Sequence, residues 1–146
     1  GCLEAYASAT AVVARAHEAL AQPGSYSSSL AGHIAGPHGG ELTAEIVFNE
    51  AARGDAVAQR LADETAYYLA VGAVNLMHTI DPDMVVFGGG MTAAGEPFLE
   101  RIRYYVRQLA FPVPAERTEI LFAQLGNDAG FIGAAGCARQ LVRKGG

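Results

Sequence analysis

Four apolar residues in a row, Met84, Val85, Val86 and Phe87, stand between the turn signal Asp81-Pro82-Asp83 and three glycines, Gly88, Gly89 and Gly90. A short apolar run bounded by turn residues is the mark of a buried strand. The proline disfavours a helix through the preceding residue, and the glycines free the backbone after the run. Apolar spacing on both sides of it is helical. A strand enclosed by helices restricts the chain to an α/β layered fold.

The rest of the pattern extends this reading. Apolar residues recur at helical spacing from Ala5 to Leu20, through Ala9, Val12, Val13 and Ala16. The stretch 21–40, rich in Gly, Ser and Pro, predicts a long irregular excursion, and its role stays open. Thr43 is a candidate N-cap for a short helix through Ala52. Arg53-Gly54-Asp55 breaks that helix, and Asp55 is placed to cap a second one running to about Ile80. Leu61, Tyr68, Leu69, Leu76 and Ile80 fall on related faces of it. Beyond the glycines an amphipathic helix is expected from about Glu96 to Leu109. Phe111-Pro112-Val113-Pro114 reads as a loop and 118–124 as a second strand. Asp128 is placed to cap a last helix, through Val142, that starts with small residues. The order is helices, strand, helix, strand, helix, a two-strand slice of a layered fold.

Composition excludes several classes of protein. The 146 residues are the size of one domain, and with 51% apolar and 17% charged residues the chain has the makings of a core. The net charge is −5, and the cations are scattered apart from Arg139, Arg143 and Lys144. A cluster in the last turn of a helix complements the helix dipole, so nucleic acid is not an expected partner. Cys2 and Cys137 make no disulfide framework, which points to a reducing, cytoplasmic setting. No apolar run reaches the length of a membrane span.

Two stretches carry chemistry. Where a strand ends in glycines and a helix soon begins, backbone N–H groups are exposed and the helix N-terminus favours phosphate. Gly88-x-Gly90-x-x-Ala93 also fits the loose dinucleotide fingerprint, but no carboxylate ends the second strand near Gln124. The local sequence leaves three alternatives: a turn without a ligand, a mononucleotide site and an NAD site. In the second stretch Asp128 is followed by Ala129, Gly130, Gly133, Ala134, Ala135 and Gly136. So many small residues predict a helix packed very close to a neighbouring backbone, beside the glycine turn in the sharper version. Cys137 on that helix is expected as a buried apolar side chain. His17 is expected on a helix surface, His33 and His38 solvated in the excursion, and His78 near a helix end, facing the dipole.

Gly1-Cys2-Leu3-Glu4-Ala5-Tyr6-Ala7-Ser8, Ala52-Arg53-Gly54-Asp55, the stretch 81–95 and the stretch 125–135 occur together, in this order and spacing. Together they resemble the ROK family of bacterial sugar kinases and repressors, in particular its glucokinase-like members. The resemblance covers nearly the whole chain except the Gly/Ser excursion. It implies the later part of the C-terminal domain of an actin-like ATPase fold, with the N-terminal lobe outside residues 1–146. It implies a glucokinase-type hexose kinase using ATP with Mg²⁺, in which Gly88, Gly89 and Gly90 meet the nucleotide. It further implies that Glu4 hydrogen-bonds sugar hydroxyls and that Cys2 is the last of four ligands of a structural zinc. The other zinc ligands, the phosphate loop and the catalytic aspartate are implied upstream of Gly1, so the segment alone is expected to be inactive. The whole protein is expected as a cytoplasmic homodimer. One departure stands out: Ala9 occupies a position that is commonly glycine in the family, and a small change in packing is expected there. A ROK-type repressor, with a helix-turn-helix far upstream, is the alternative parent. An NAD-binding module is disfavoured by the missing acidic residue.

Overall fold

A computed structural model describes residues 2–23, 27–35 and 40–144; His38 therefore lies outside the described residues. The elements are α1 (Glu4–Ala7), α2 (Ala9–Leu20), α3 (Ser29–Ala35), α4 (Ala44–Ala52), α5 (Ala56–Ile80), β1 (Met84–Phe87), α6 (Gly95–Leu109), α7 (Pro112–Arg117), β2 (Glu119–Phe122) and α8 (Ala129–Lys144). Single 3-10 turns at Gly90–Ala94 and Gly126–Asp128 precede α6 and α8.

The 25-residue α5 is the spine. Asp55 caps it, accepting the Ala58 amide at 2.8 Å, and Asp81 ends it in the left-handed region at φ 46°. Its buried residues are Ala58, Leu61, Thr65, Ala66, Leu69, Ala70, Ala73, Val74 and Met77. At 3.6 residues per turn they span an arc of roughly 220°, so one neighbour is not enough to cover them. Helices α4 and α6 pack on one side, and α1 and α2 complete the cover. The one polar member, Thr65, is fully buried and satisfied. Its hydroxyl donates to the Leu61 carbonyl at 2.6 Å and accepts from Arg15 of α2 at 2.6 Å. Leu76 and Ile80, assigned to the apolar faces from their spacing, are 50% and 67% exposed.

The sheet is a parallel pair, with Met84 opposite Glu119 and Phe87 opposite Phe122. Helix α6 lies in the connection between the strands and buries Phe98, Leu99, Ile102 and Val106. Val85 and Ile120 are buried, but Met84 and Val86 on the opposite face are about half exposed. The expected fully buried strand is thus covered on one face only.

Three further expectations are corrected. The first helical stretch breaks at Ser8, which adopts an extended ψ of 161° and caps α2 by accepting the Ala11 amide at 3.1 Å. The excursion holds the helix α3. Phe111-Pro112-Val113-Pro114 opens α7 instead of forming a loop, because proline is preorganised for the first helical turn.

Ile102 of α6 is fully buried in the core. Ile102→Ala is expected to cost about 2–5 kcal/mol, the usual range for a large-to-small core change, read as a lower urea midpoint at unchanged slope.

Candidate functional site

Both strands run parallel, so both deliver their carboxyl ends to the same edge of the sheet. The last rung there is the Ala123 amide on the Phe87 carbonyl at 2.7 Å. Past it the two chains turn away separately, at Gly88–Gly90 and at Gly126. Gly89 and Gly126 have φ of 87° and 53°, which side chains rarely adopt. The first turn is held at both ends. Thr92 donates both its amide and its hydroxyl to the Gly89 carbonyl, at 3.1 and 2.9 Å, and Met91 is buried in the core. The Gly88–Gly90 backbone is left exposed.

A cleft of about 400 Å³ opens there, lined by Ala9, Thr43, Ala44, Glu45, Gly89, Gly90, Thr92, Ala93 and Gly126. Its size suits a small-molecule site, and its place, outside the carboxyl ends of parallel strands, is where open α/β sheets take ligands. Gly89 and Gly90 face this cleft. Gly88 is not among its lining; its Cα hydrogen points toward Ala123, where an added Cβ would stand 3.7 Å from the Ala123 Cβ. The Thr43–Glu45 wall was visible in the sequence only as a helix start.

Glu4 stands on the other side of the same corner. Helix α1 is seated on α5 by Leu3, which lies over Gly72, and by Tyr6, whose ring is 5.0 Å from that of Tyr68. A Cβ on Gly72 would sit 2.6 Å from Leu3 Cδ2. Cys2, Glu4, Ser8 and Thr10 line an open depression of about 450 Å³. Ser8 links the two places: its side chain caps α2 beside Glu4, and the next residue, Ala9, is in the wall of the glycine cleft. Among the described residues no three His, Cys, Asp or Glu side chains converge as a metal site. Cys2 is exposed and brings no second ligand, so these residues alone do not fit a tetrahedral zinc.

Helix α4, which carries the Thr43–Glu45 wall, is anchored by a polar clasp. The Asp55 carboxylate serves two helix starts. Oδ1 accepts the Ala58 amide of α5, and Oδ2 accepts the Ser29 amide of α3 at 2.7 Å. The Ser29 hydroxyl donates to Glu50 at 2.6 Å, and Glu50 also takes Arg53 at 2.6 Å and meets His33 Nε2 at 3.3 Å. His33 is thus engaged, not merely solvated. The Ser29 hydroxyl holds the Glu50 carboxyl below its ordinary value; burial opposes this, and His33 and Arg53 reinforce it. Burial pushes the Asp55 carboxyl up, but the Ala58 and Ser29 amides and the Ser28 and Ser29 hydroxyls outweigh it, and the net shift is down.

A second cavity, about 380 Å³, lies between α4, α5 and α6 and has mainly apolar walls, including Phe48 and Phe98. Its polar members are tied up: Asp63 is bonded by Arg101 and accepts the Tyr105 hydroxyl at 2.6 Å. Burial raises the Asp63 carboxyl, Arg101 and Tyr105 lower it, and the net shift is down.

Helix α8 departs from expectation. A Cβ added at Gly130, Gly133 or Gly136 would meet nothing within 4 Å. Phe131 and Leu141 are 81% and 73% exposed, and Cys137 is exposed rather than buried. The described residues offer this helix no surface to bury its apolar side chains against. Asp128 belongs to the 3-10 turn before it. His17 is on the α2 surface as expected. His78 Nε2 accepts the Phe111 amide at 3.1 Å, and the two rings stack at 4.3 Å.

The profile of the ROK family matches residues 1–141. The chain belongs to the ROK family. It is 38% identical over 140 residues to a glucokinase of Halalkalibacterium halodurans, covering 96% of this chain and 41% of that protein. A ROK family glucokinase from Streptomyces griseus, solved in complex with glucose and AMPPNP, superposes with a TM-score of 0.79 at 33% identity, over 96% of this chain and 45% of that one. A ROK family transcriptional regulator, a homologue of the E. coli MLC protein, superposes at 0.67 with 22% identity, over 84% of this chain and 29% of that one, and shares the fold. The fold is the actin-like ATPase fold of these ROK structures. The chain spans less than half the length of the curated glucokinases it matches. No helix among the described residues is long and apolar enough to cross a membrane.

The clasp gives the fold an acid limit. Both carboxyls titrate below their ordinary 4.5 and 3.8 in the folded state. Their contribution is therefore complete above the unfolded values and is lost as pH falls through the folded ones. Thermal unfolding is expected to be nearly flat from neutrality to about pH 5 and to fall below it. A Glu50→Gln, Asp55→Asn double variant is expected to be less stable at pH 7 and to show a shallower acid decline.

Proposed function

We propose that the chain is the nucleotide-binding part, and one wall of the sugar site, of an ATP-dependent hexose kinase of the glucokinase type. On this reading it forms the later part of that enzyme's C-terminal domain. The observation that carries the reading is the cleft at the carboxyl ends of β1 and β2, walled by Gly89, Gly90 and Gly126. The glucokinase relatives and the glucose and AMPPNP complex support it.

The chemistry is the transfer of the terminal phosphoryl group of ATP to the sugar 6-hydroxyl. A bond forms between the sugar O6 and phosphorus, the bond to the bridging oxygen breaks, and ADP leaves. Such a reaction needs positioning and charge stabilisation more than covalent chemistry from the protein. The Gly88–Gly90 turn offers backbone to the phosphates without side chains to obstruct them. Glu4 accepts hydrogen bonds from sugar hydroxyls. The base that takes the hydroxyl proton is assigned outside residues 1–146, and the isolated chain is accordingly inactive. Mg²⁺ supplies neutralisation of phosphate charge when bound; no residue of this chain is assigned to it. Cys2 supplies one zinc ligand in the whole protein, with the others outside this chain. The whole enzyme is a cytoplasmic homodimer on this reading. The alternative parent, a ROK-type repressor, would keep the sugar site; the compact Gly88–Gly90 turn favours the kinase.

Gly90→Ala in the full-length protein is the cleanest test. Its added Cβ meets nothing within 4 Å and its φ is ordinary, so folding is spared. The added methyl holds the phosphates away from the backbone, so the KM for ATP is expected to rise about tenfold or more, the scale of one displaced contact of roughly 1–3 kcal/mol, with the sugar KM unchanged. An unchanged ATP KM would remove the nucleotide from this cleft. Gly89→Val is a poorer probe, because at φ 87° any side chain adds backbone strain of its own.

The sugar site has a separate test. Glu4→Gln is expected to weaken glucose binding roughly tenfold or more in calorimetry and to leave ATP affinity unchanged. Equal glucose affinity would return Glu4 to a plain helix-dipole role.

A further inference from the structure

We infer that Glu45 is a specificity residue of the glycine cleft: it takes the vicinal hydroxyls of the nucleotide's ribose and so sets the polarity in which the nucleotide lies. The inference rests on the nucleotide reading above and adds to it a contact on the opposite wall. The cleft has two chemically different walls. At one, the amides of Gly89 and Gly90 are bonded to no described residue and the backbone is exposed, a wall of donors suited to phosphate oxygens. At the other, in the first turn of α4, stands the Glu45 carboxylate. It is exposed and has no hydrogen-bond or ion-pair partner among the described residues. The neighbouring Thr43 oxygen already accepts the Ile46 amide at 3.2 Å, which leaves Glu45 as the free acceptor of that wall.

An ionised carboxylate has only acceptors. Beside phosphates it repels; beside a diol it accepts two hydrogen bonds. A ligand with anionic oxygens at one end and paired hydroxyls at the other satisfies both walls at once. An inorganic polyphosphate satisfies only the glycine wall and faces the carboxylate with like charge. Because α4 packs directly on the Gly90–Ala94 turn, and the clasp of Asp55 and Glu50 ties α4 to α3 and α5, the two walls are held at a fixed separation.

The experiment measures binding of ATP and of 2′,3′-dideoxy-ATP to the full-length protein by calorimetry, for the native enzyme, Glu45→Ala, Glu45→Gln and Gly90→Ala. The native protein is expected to prefer ATP about tenfold or more, the scale of hydrogen bonds to a charged group. Glu45→Ala is expected to lose that preference and to bind the two nucleotides nearly equally. Glu45→Gln, which keeps one acceptor and the same shape, is expected to fall between them. Glucose affinity and the melting temperature guard against a folding defect and are expected to stay native in Glu45→Gln. If Glu45→Ala and Glu45→Gln keep the full preference for ATP while Gly90→Ala weakens ATP, the cleft holds the nucleotide and the role of Glu45 is overturned. If Gly90→Ala has no effect on ATP either, the nucleotide reading falls together with it.

Discussion

The burial of α5 over more than half its circumference is the constraint on which the rest of the structure depends. A 25-residue helix with an apolar arc of roughly 220° cannot be satisfied by one partner. It needs the α4 and α6 pair on one side and the α1–α2 corner on the other. Small residues make this possible: Ala66, Ala70, Ala73 and Gly72 bring neighbours close, and Leu3 occupies the space that a side chain at position 72 would take. Every residue of functional interest hangs from one of these partners. Glu4 and Ala9 come with the α1–α2 corner, Thr43 to Glu45 with α4, and the glycine turn with the connection into α6. The spine thus sets where the walls of the cleft stand, though it supplies none of its lining.

The carboxyl edge of the strand pair adds the second half of that geometry. A parallel pair delivers both carboxyl ends to one edge, and the chain must leave each of them along a separate path. Glycines at positive φ solve this twice, at Gly89 and Gly126. The turns are not loose. Met91 is plugged into the core and Thr92 closes on the Gly89 carbonyl by two hydrogen bonds. A backbone that is fixed yet bare of side chains can meet an anion with little loss of conformational entropy on binding. The same property makes Gly89 intolerant of substitution for reasons unconnected with any ligand.

What the sequence disclosed follows from how local each cause is. Thr43 and Asp55 were readable as caps because a cap acts over three residues, and both accept the amides expected of them. The strand–glycine–helix order was readable because its signals are contiguous. The break at Ser8 was hidden because the apolar spacing runs through it unchanged, while the serine's capping bond interrupts the helix. The helix α3 was hidden because its start is capped from far away: the Ser29 amide reaches Asp55, 26 residues on. The single-sided burial of Met84 and Val86, and the bare faces of α8, were beyond reach for another reason. An apolar run reports that a segment seeks cover, and says nothing of which residues supply it. For the site, the glycines were legible. The Thr43–Glu45 wall was not, since only tertiary packing of α4 on the glycine turn turns a helix start into the side of a cleft.

The corner at Ser8 ties the two binding regions of the proposed kinase into one rigid object. Glu4 lies on α1, Ala9 begins α2, and the residue between the helices is held extended by its own capping bond. Glu4 and the wall that Ala9 gives to the glycine cleft therefore share one support. Helix α2 does not yield easily, since Arg15 fastens it to Thr65 and Glu64 of the spine and Val12 and Ala16 are fully buried. The two regions are consequently a few residues apart along the chain and share a single support. A methyl group at position 9 fills part of the cleft wall where a glycine would leave room. Ala9 lines the glycine cleft and is not part of the lining of the depression around Glu4. Variation at this position therefore reaches the glycine cleft, while Glu4 stays seated beside α5 through the packing of Leu3 and Tyr6.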